Sequence, residues 1–388
     1  MSIARGDAVA LTRALVAVDS RNPSLVPGAP GEGAVARLLA EVLRDWGCAV
    51  DVQEVALGRP NVIARVGKRE GASLMFNGHL DVVDVAGMVH PPFDAADHDG
   101  RIWGRGACDM KAGVAAMCAA AVRALDLGVA GEVVIAAVVD EEYTSIGTRA
   151  LLDRGVRADA AIVTEPTRLA IMPAHRGFVW LDLHVVGRAA HGSRWEIGID
   201  AIRYAGLFLA ELDRYDATTL SARHHPLLGR PSIHASLISG GSGMSTYPDQ
   251  CSLSVERRTI PGETGDQVLS ELQEIRDRVR LARPDFDGTV TVSLAQSPSD
   301  VATSAPIVRA LSAALATCDI PESIEGMSAW TDAALLNDAG IPAICFGPGD
   351  IALAHAAEEF VPRQEIEDAT RVLTELALRF TSPERRAD

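Results

Sequence analysis

The sequence predicts an α/β protein carrying a second, inserted α+β domain, and three observations support that reading. The chain has 388 residues, more than one hydrophobic core usually supports. Residues 133–139, Val-Val-Ile-Ala-Ala-Val-Val, form an unbroken apolar run, the mark of a strand buried on both faces of a parallel sheet. Between residues 177 and 296 the pattern changes to alternating, half-exposed strands in the order β-α-β-β-α-β, that of a ferredoxin-like unit. The expected division is a first domain over 1–176 and 297–388, its largely parallel central sheet flanked by helices, and an inserted domain over 177–296.

Residues 7–19 read as a helix that Arg21-Asn22-Pro23-Ser24 breaks, and 27–33 as a loop. Val35, Leu38, Leu39, Val42, Leu43 and Trp46 recur at helical spacing, and Gly47 closes that helix. Residues 50–55 and 61–66 read as strands. Leu74-Met75-Phe76-Asn77 is a short apolar strand running into Gly78-His79-Leu80-Asp81. An irregular loop rich in Pro, Gly and Asp fills 84–105, and a helix is expected over 111–127. The strand at 133–139 ends in Asp140-Glu141-Glu142. A helix near 146–154 leads to a strand at 160–163, which ends in Thr164-Glu165-Pro166. In the inserted region, strands at 178–186, 232–239, 251–259 and 290–294 alternate with helices at 199–215 and 263–281. Helices at 305–316 and 331–339, a strand at 343–346 and a closing helix from about 364 complete the first domain.

Composition narrows the function. Hydrophobic residues make up 48% and charged residues 23%, ordinary for a globular protein. A net charge of -16 with 4% aromatics opposes nucleic acid and anionic membrane surfaces as partners. The six cysteines include no CxxC pair and read as reduced thiols of a cytoplasmic protein. The start lacks a secretory signal pattern, and the most apolar stretch, 112–122, is too short to span a bilayer.

The chemistry centres on Gly104-Arg105-Gly106-Ala107-Cys108-Asp109-Met110-Lys111-Ala112-Gly113. Glycine-rich loops before helices cradle anions, but Asp109 is itself an anion, so a metal ion is the better partner. Three strands end in potential ligands: His79, then Glu141 and Glu142, then Glu165; in open parallel sheets such ends converge on one site. His355 follows the strand at 343–346. Singly, each has a bland reading as a loop histidine, a solvated turn or a cap. As a set they point to metal. Two divalent ions carry four positive charges. Asp109, Glu142 and Glu165 with a bridging hydroxide balance them. Imidazole with carboxylate suits zinc, cobalt or manganese and argues against calcium. Asp81 is expected to accept from the His79 ring and fix its tautomer. His90, Asp94, Asp97, His98 and Asp99 read as a solvated loop.

Gly78-His79-Leu80-Asp81-Val82-Val83, the Gly104–Gly113 stretch, Asp140-Glu141-Glu142, Glu165-Pro166, His191-Gly192-Ser193 and Ala354-His355 with Glu359 together resemble the dinuclear zinc hydrolases of the M20 peptidase family, in the branch of acetylornithine deacetylase and succinyl-diaminopimelate desuccinylase. The resemblance covers nearly the whole chain and implies a catalytic domain with an inserted lid and dimerisation domain. It implies that Asp109 bridges two metals, that His79 and Glu165 hold one, and that Glu142 and His355 hold the other. Glu141 would be the general base that takes a proton from the metal-bridging water and delivers it to the leaving amine. His191 would reach the active site of the partner subunit in a homodimer and stabilise the oxyanion. Arg258 would bind the substrate carboxylate, and strand alternation turns Arg257 to the other face. Ser245, before Thr246-Tyr247-Pro248, stands where many relatives carry Asn, so it would bind substrate with a shorter reach.

The implied activity is hydrolysis of the amide bond of an N-acyl amino acid. A dipeptidase or carboxypeptidase is the alternative on the same scaffold, and a non-catalytic binding protein is the rival of another class. Glu141, a free base that a purely structural metal site does not need, argues against that last reading.

Overall fold

The computed structural model describes residues 3–68 and 71–382. The chain divides into two compact units. The first comprises Met1–Pro173, Val301–Glu325 and Thr331–Asp388; the second comprises Ala174–Asp300 and Gly326–Trp330.

The first unit begins with helices α1 (Ala8–Val16) and α2 (Gly33–Asp45), followed by strands β1 (Ala49–Ala56), β2 (Arg59–Gly67) and β3 (Ser73–His79). Short strands β4 (Ala96–His98) and β5 (Arg101–Trp103) precede α3 (Ala112–Asp126), β6 (Glu132–Val138), α4 (Ile146–Asp153), β7 (Ala160–Val163) and β8 (Ile171–His175). The order along the sheet is β1-β2-β6-β3-β7, then a late strand, β15 (Ala343–Cys345), then β8. The middle pairs, β3 with β6, β3 with β7 and β7 with β15, are parallel. The flanks, β1 with β2, β2 with β6 and β15 with β8, are antiparallel.

Burial follows the sequence pattern. Val133, Ile135 and Ala137 of β6 join the core beneath α3 and the closing helix, while Val134, Ala136 and Val138 are equally buried on the other face, as the continuous run requires. Residues 112–122 of α3 are all buried, so this alanine-rich helix lies inside the unit. A Cβ at Gly113 would stand 1.9 Å from the Thr164 carbonyl oxygen, so only glycine lets the start of α3 lie against the end of β7.

The second unit holds β9 (Gly177–Val186), α5 (Ala201–Thr218), β10 (Ser232–Gly240), β11 (Gln250–Thr259), α6 (Gly265–Ala282) and β12 (Asp287–Gln296). The four strands form an antiparallel sheet in the order β10-β11-β9-β12, the expected ferredoxin-like arrangement. Val179, Leu181, Leu183 and Val185 of β9 face Phe208, Leu212, Leu272 and Ile275 of the two helices in one core. The remaining elements are β13 (Ser299–Asp300), α7 (Pro306–Thr317), β14 (Ile324–Met327), α8 (Ala333–Asp338), β16 (Phe360–Pro362) and α9 (Arg363–Thr381). Strands β4, β5, β8, β13, β14 and β16 were not expected. The first two lie within the stretch 84–105 read as an irregular loop, and with β16 they form a small separate sheet. Among the described residues no helix is long and apolar enough to cross a membrane.

Candidate active site

The carboxyl ends of β3, β6 and β7 deliver the first group of side chains. His79 is the last residue of β3 and is buried. Its Nε2 lies 3.0 Å from Asp109 Oδ1 and 3.9 Å from Glu141 Oε2. Asp109 stands on the turn Ala107–Lys111 that opens into α3, and its own backbone is not helical. Two glycines shape the approach to that turn. Gly106 is left-handed at φ 80, and a Cβ at Gly104 would strike Val16 Cγ1 at 2.4 Å. The buried carboxylate of Glu359 accepts the N–H groups of Cys108 (3.0 Å) and Asp109 (3.2 Å) and pairs with Arg105 at 2.5 Å. Asp109 is thereby fixed through its own backbone. Cys108 is buried, with Sγ 3.2 Å from the Asp350 carbonyl oxygen, and stands in neither ligand group.

Two groups of possible ligands result, sharing Asp109. The ligating atoms of His79, Asp109 and Glu165 lie within 4.8 Å of one another, and so do those of Asp109, Glu142 and His355. His355 Nε2 is 2.9 Å from Glu142 Oε2 and 3.5 Å from Asp109 Oδ2. His355 itself adopts a left-handed backbone, φ 61, just after a short 3₁₀ turn.

The electrostatics call for cations. Burial pushes the Glu141 carboxyl well up; His79 opposes this and Glu165 adds to it. Burial and then Asp109 raise Glu165 and Glu142. Burial would raise Asp109 as well, but hydrogen bonds from His355 and His79 overcome it and hold this carboxyl low. Burial would lower His355, yet Asp109 and Glu142 carry it up to about 10. Two like charges 4 Å apart at an effective dielectric of 20 repel by about 4 kcal/mol. Four clustered carboxylates therefore exceed what two imidazolium ions can offset. Asp109, Glu142, Glu165, His79 and His355, with Asp109 common to both groups, fit two divalent ions.

The acceptor that Asp81 offers the His79 ring is its main-chain oxygen. The His79 Nδ1 atom lies 3.0 Å from the carbonyl oxygen of Asp81 and 3.7 Å from its carboxylate. The nearer partner for the ring is therefore the backbone. The Asp81 carboxylate is already engaged, accepting from the Glu141 and Glu142 N–H groups at 3.2 Å each and from Asn22 Nδ2 at 2.8 Å. In the loop read as solvated, Asp94, Asp97, His98 and Asp99 are exposed as expected, but His90 packs edge-on to Trp103 and its Nε2 accepts the Glu359 N–H at 3.3 Å.

In the second unit, His191 and Ser245 share one exposed tip, with His191 bridged to Thr246 and the Gly192 N–H donating to the Ser245 carbonyl at 2.7 Å. His191 Nδ1 lies 2.8 Å from Ser193 Oγ. Arg258, on β11, pairs with Glu256 and lies 5.4 Å from the Phe178 ring. Arg257 is fully buried against Glu263. In the first unit, reading along the chain missed Asp332, which is buried and accepts the Thr148 hydroxyl at 2.6 Å; burial raises it to about 6. Only the unremarkable Thr331-Asp332 before an apolar helix marked it in the sequence.

A parallel sheet whose strand ends converge on two adjoining carboxylate–imidazole groups, with a further carboxylate beside them, defines the class of metal-dependent hydrolases. Residues 75–379 match the model of peptidase family M20/M25/M40, and the chain belongs to that family. It is 32% identical over 320 residues to acetylornithine deacetylase of Myxococcus xanthus, covering 80% of each chain. It is 28% identical over 385 residues to N-formyl-4-amino-5-aminomethyl-2-methylpyrimidine deformylase of Bacillus subtilis (strain 168), covering 89% of this chain and 88% of that one. Aminopeptidase PepT from Bacillus cereus ATCC 10987 shares the fold at a TM-score of 0.79 and 20% identity, with both chains fully covered. The chain is a hydrolase of linear amides.

Proposed function

We propose that this protein hydrolyses the amide bond of an N-acyl amino acid, with two divalent ions, zinc before cobalt or manganese. The observation that carries the reading is the position of Glu141. Its carboxylate stands beside the His79–Asp109 centre, yet it belongs to neither ligand group. His79 and Glu165 would hold one ion, Glu142 and His355 the other, and Asp109 both. When bound, the ions polarise the scissile carbonyl and lower the pKa of water. Glu141 takes a proton from the attacking water and passes it to the leaving amine nitrogen. Asp81 holds the corner that carries Glu141. Arg258 pairs with the substrate carboxylate, Ser245 contacts the substrate, and His191 donates to the oxyanion.

The two relatives matched in sequence are named as deacylases, which supports an acyl substrate over a peptide, while the aminopeptidase, at 20% identity, shares the fold alone. A homodimer is part of the proposal: edge strand β10 leaves Leu237 and Ile238 71% and 56% exposed, an apolar edge suited to pairing with a second copy. The six cysteines are all free, which suits the reducing cytoplasm. The test is turnover of N-formyl, N-acetyl and N-succinyl amino acids beside dipeptides by zinc-loaded protein. An N-acyl amino acid should be the fastest substrate. Faster cleavage of dipeptides would replace this reading with the dipeptidase one.

A further inference from the structure

Behind Glu141 and Glu142 lies a buried polar cluster that the proposed chemistry does not use. At its centre is Arg59, the first residue of β2. Its Nε and Nη2 hold both carboxylate oxygens of Glu32, at 2.8 and 2.6 Å. Nη2 also reaches Asp140 Oδ1 at 2.8 Å and Asn22 Oδ1 at 3.1 Å, and Nη1 reaches Ser24 Oγ at 3.1 Å. Asn22, Glu32 and Asp140 are all essentially inaccessible to solvent.

The cluster leads directly to the site. The Asn22 amide donates to Asp140 Oδ1 at 3.1 Å and to Asp81 Oδ2 at 2.8 Å. Asp81 in turn accepts the N–H groups of Glu141 and Glu142. Asp140 has a left-handed backbone, φ 67, at the end of the β6 run. That conformation is unfavourable for a non-glycine residue and persists only where its surroundings impose it. Here Arg59, Asn22, the Thr144 N–H (3.2 Å) and the Thr144 hydroxyl (2.7 Å) all bind the Asp140 carboxylate. The direction in which Asp140 turns the chain sets where the next two side chains point.

We propose that Arg59 is the positioning residue of the Glu141–Glu142 corner, acting through Asn22, Asp81 and Asp140. The proposal rests on Glu141 as base and Glu142 as ligand. A single guanidinium serves Glu32, Asp140 and Asn22 at once because its donors are splayed in one plane, which an ammonium cannot reproduce. Arg59→Lys therefore keeps the charge and loses the geometry. Asn22→Ala keeps the Arg59–Glu32 pair and removes the link to Asp81.

The experiment is cobalt(II) titration by calorimetry on the full chain, with kcat and KM on the best substrate and circular dichroism to establish folding. In both variants the affinity of the weaker-bound ion should fall about 10- to 100-fold, in the same direction as in Glu142→Gln, with kcat lowered by a similar factor and KM changed by less than about threefold. A lower melting temperature with unchanged cobalt binding and unchanged kcat would make the cluster a stability element only and overturn the proposal. If Arg59→Lys does not fold, Asn22→Ala decides. If the wild type cleaves no substrate of the panel, the amidohydrolase reading fails, and the cobalt titration still decides this one. If Glu142→Gln binds cobalt as the wild type does, the ligand reading and the proposal fall together.

Discussion

His79 and His355 face the same carboxylate, Asp109, from 3.0 and 3.5 Å, yet the first side chain is 1% exposed and the second 51%. The difference lies in what carries them. His79 ends a strand hydrogen-bonded on both sides within the parallel part of the sheet. His355 follows a short turn on a loop and keeps a left-handed backbone. One half of the centre is therefore built into the core and the other is laid over it from a loop. Glu141, beside the buried half, would act on whatever is bound between the two.

The largest effect expected follows from that shared position. Glu141→Ala should keep both ions by elemental analysis and lose about 10³-fold in kcat, within the range that general acid–base catalysis supplies. Activity near wild type would refute its role as base. His191→Ala, on the exposed tip of the second unit, should also keep both ions and lose about 10²-fold, the typical cost of one oxyanion donor.

Metal removal separates the halves. On dialysis against a chelator, one ion should leave well before the other. His355→Ala should weaken only that labile ion, by at least about 10²-fold, more than the loss of an outer partner costs. His79→Ala should weaken the retained ion and lower the melting temperature, because it leaves buried carboxylates without their partner. Loss of both ions at one rate, or equal effects of the two variants, would show that the difference in exposure has no consequence for binding.

The buried half was the more legible in the sequence. Apolar runs that stop at His79, Glu141 and Glu165 announce both the strands and their polar ends. The His355 half rested on motif context, since Ala354-His355-Ala356 follows no long periodic element. Strand β8, Ile171-Met172-Pro173-Ala174-His175, was not recognised because its central proline argues against a strand. The Arg59 cluster was invisible for another reason. Its contacts join residues 27 to 118 positions apart, and no single member departs from an ordinary loop or strand residue. Asn22 read only as part of a helix break. Long-range polar pairing leaves no periodic trace, whereas burial of strands does.

A second buried imidazole shows what the carboxylates do to His79 and His355. His175 is 2% exposed; its Nδ1 lies 2.9 Å from the Arg176 carbonyl oxygen, and its Nε2 has no partner among the described residues. Burial pushes it down to about 4, whereas acids carry His355 up to about 10. The unfolded value is near 6.5. Above that pH both states of His175 are neutral, and its contribution does not vary. As pH falls from about 6.5 to 4, the unfolded chain takes the proton and the native state does not, so stability is lost. The fall from about 6.5 to about 4 corresponds to roughly 3 kcal/mol across that window. His175→Phe should therefore flatten the acid limb of urea-unfolding stability between pH 6.5 and 4.5 relative to the wild type, whatever its cost at pH 7. A wild-type-minus-variant difference that stays constant over this range would mean that His175 is protonated in the folded protein, and that burial without an acidic neighbour does not set its charge.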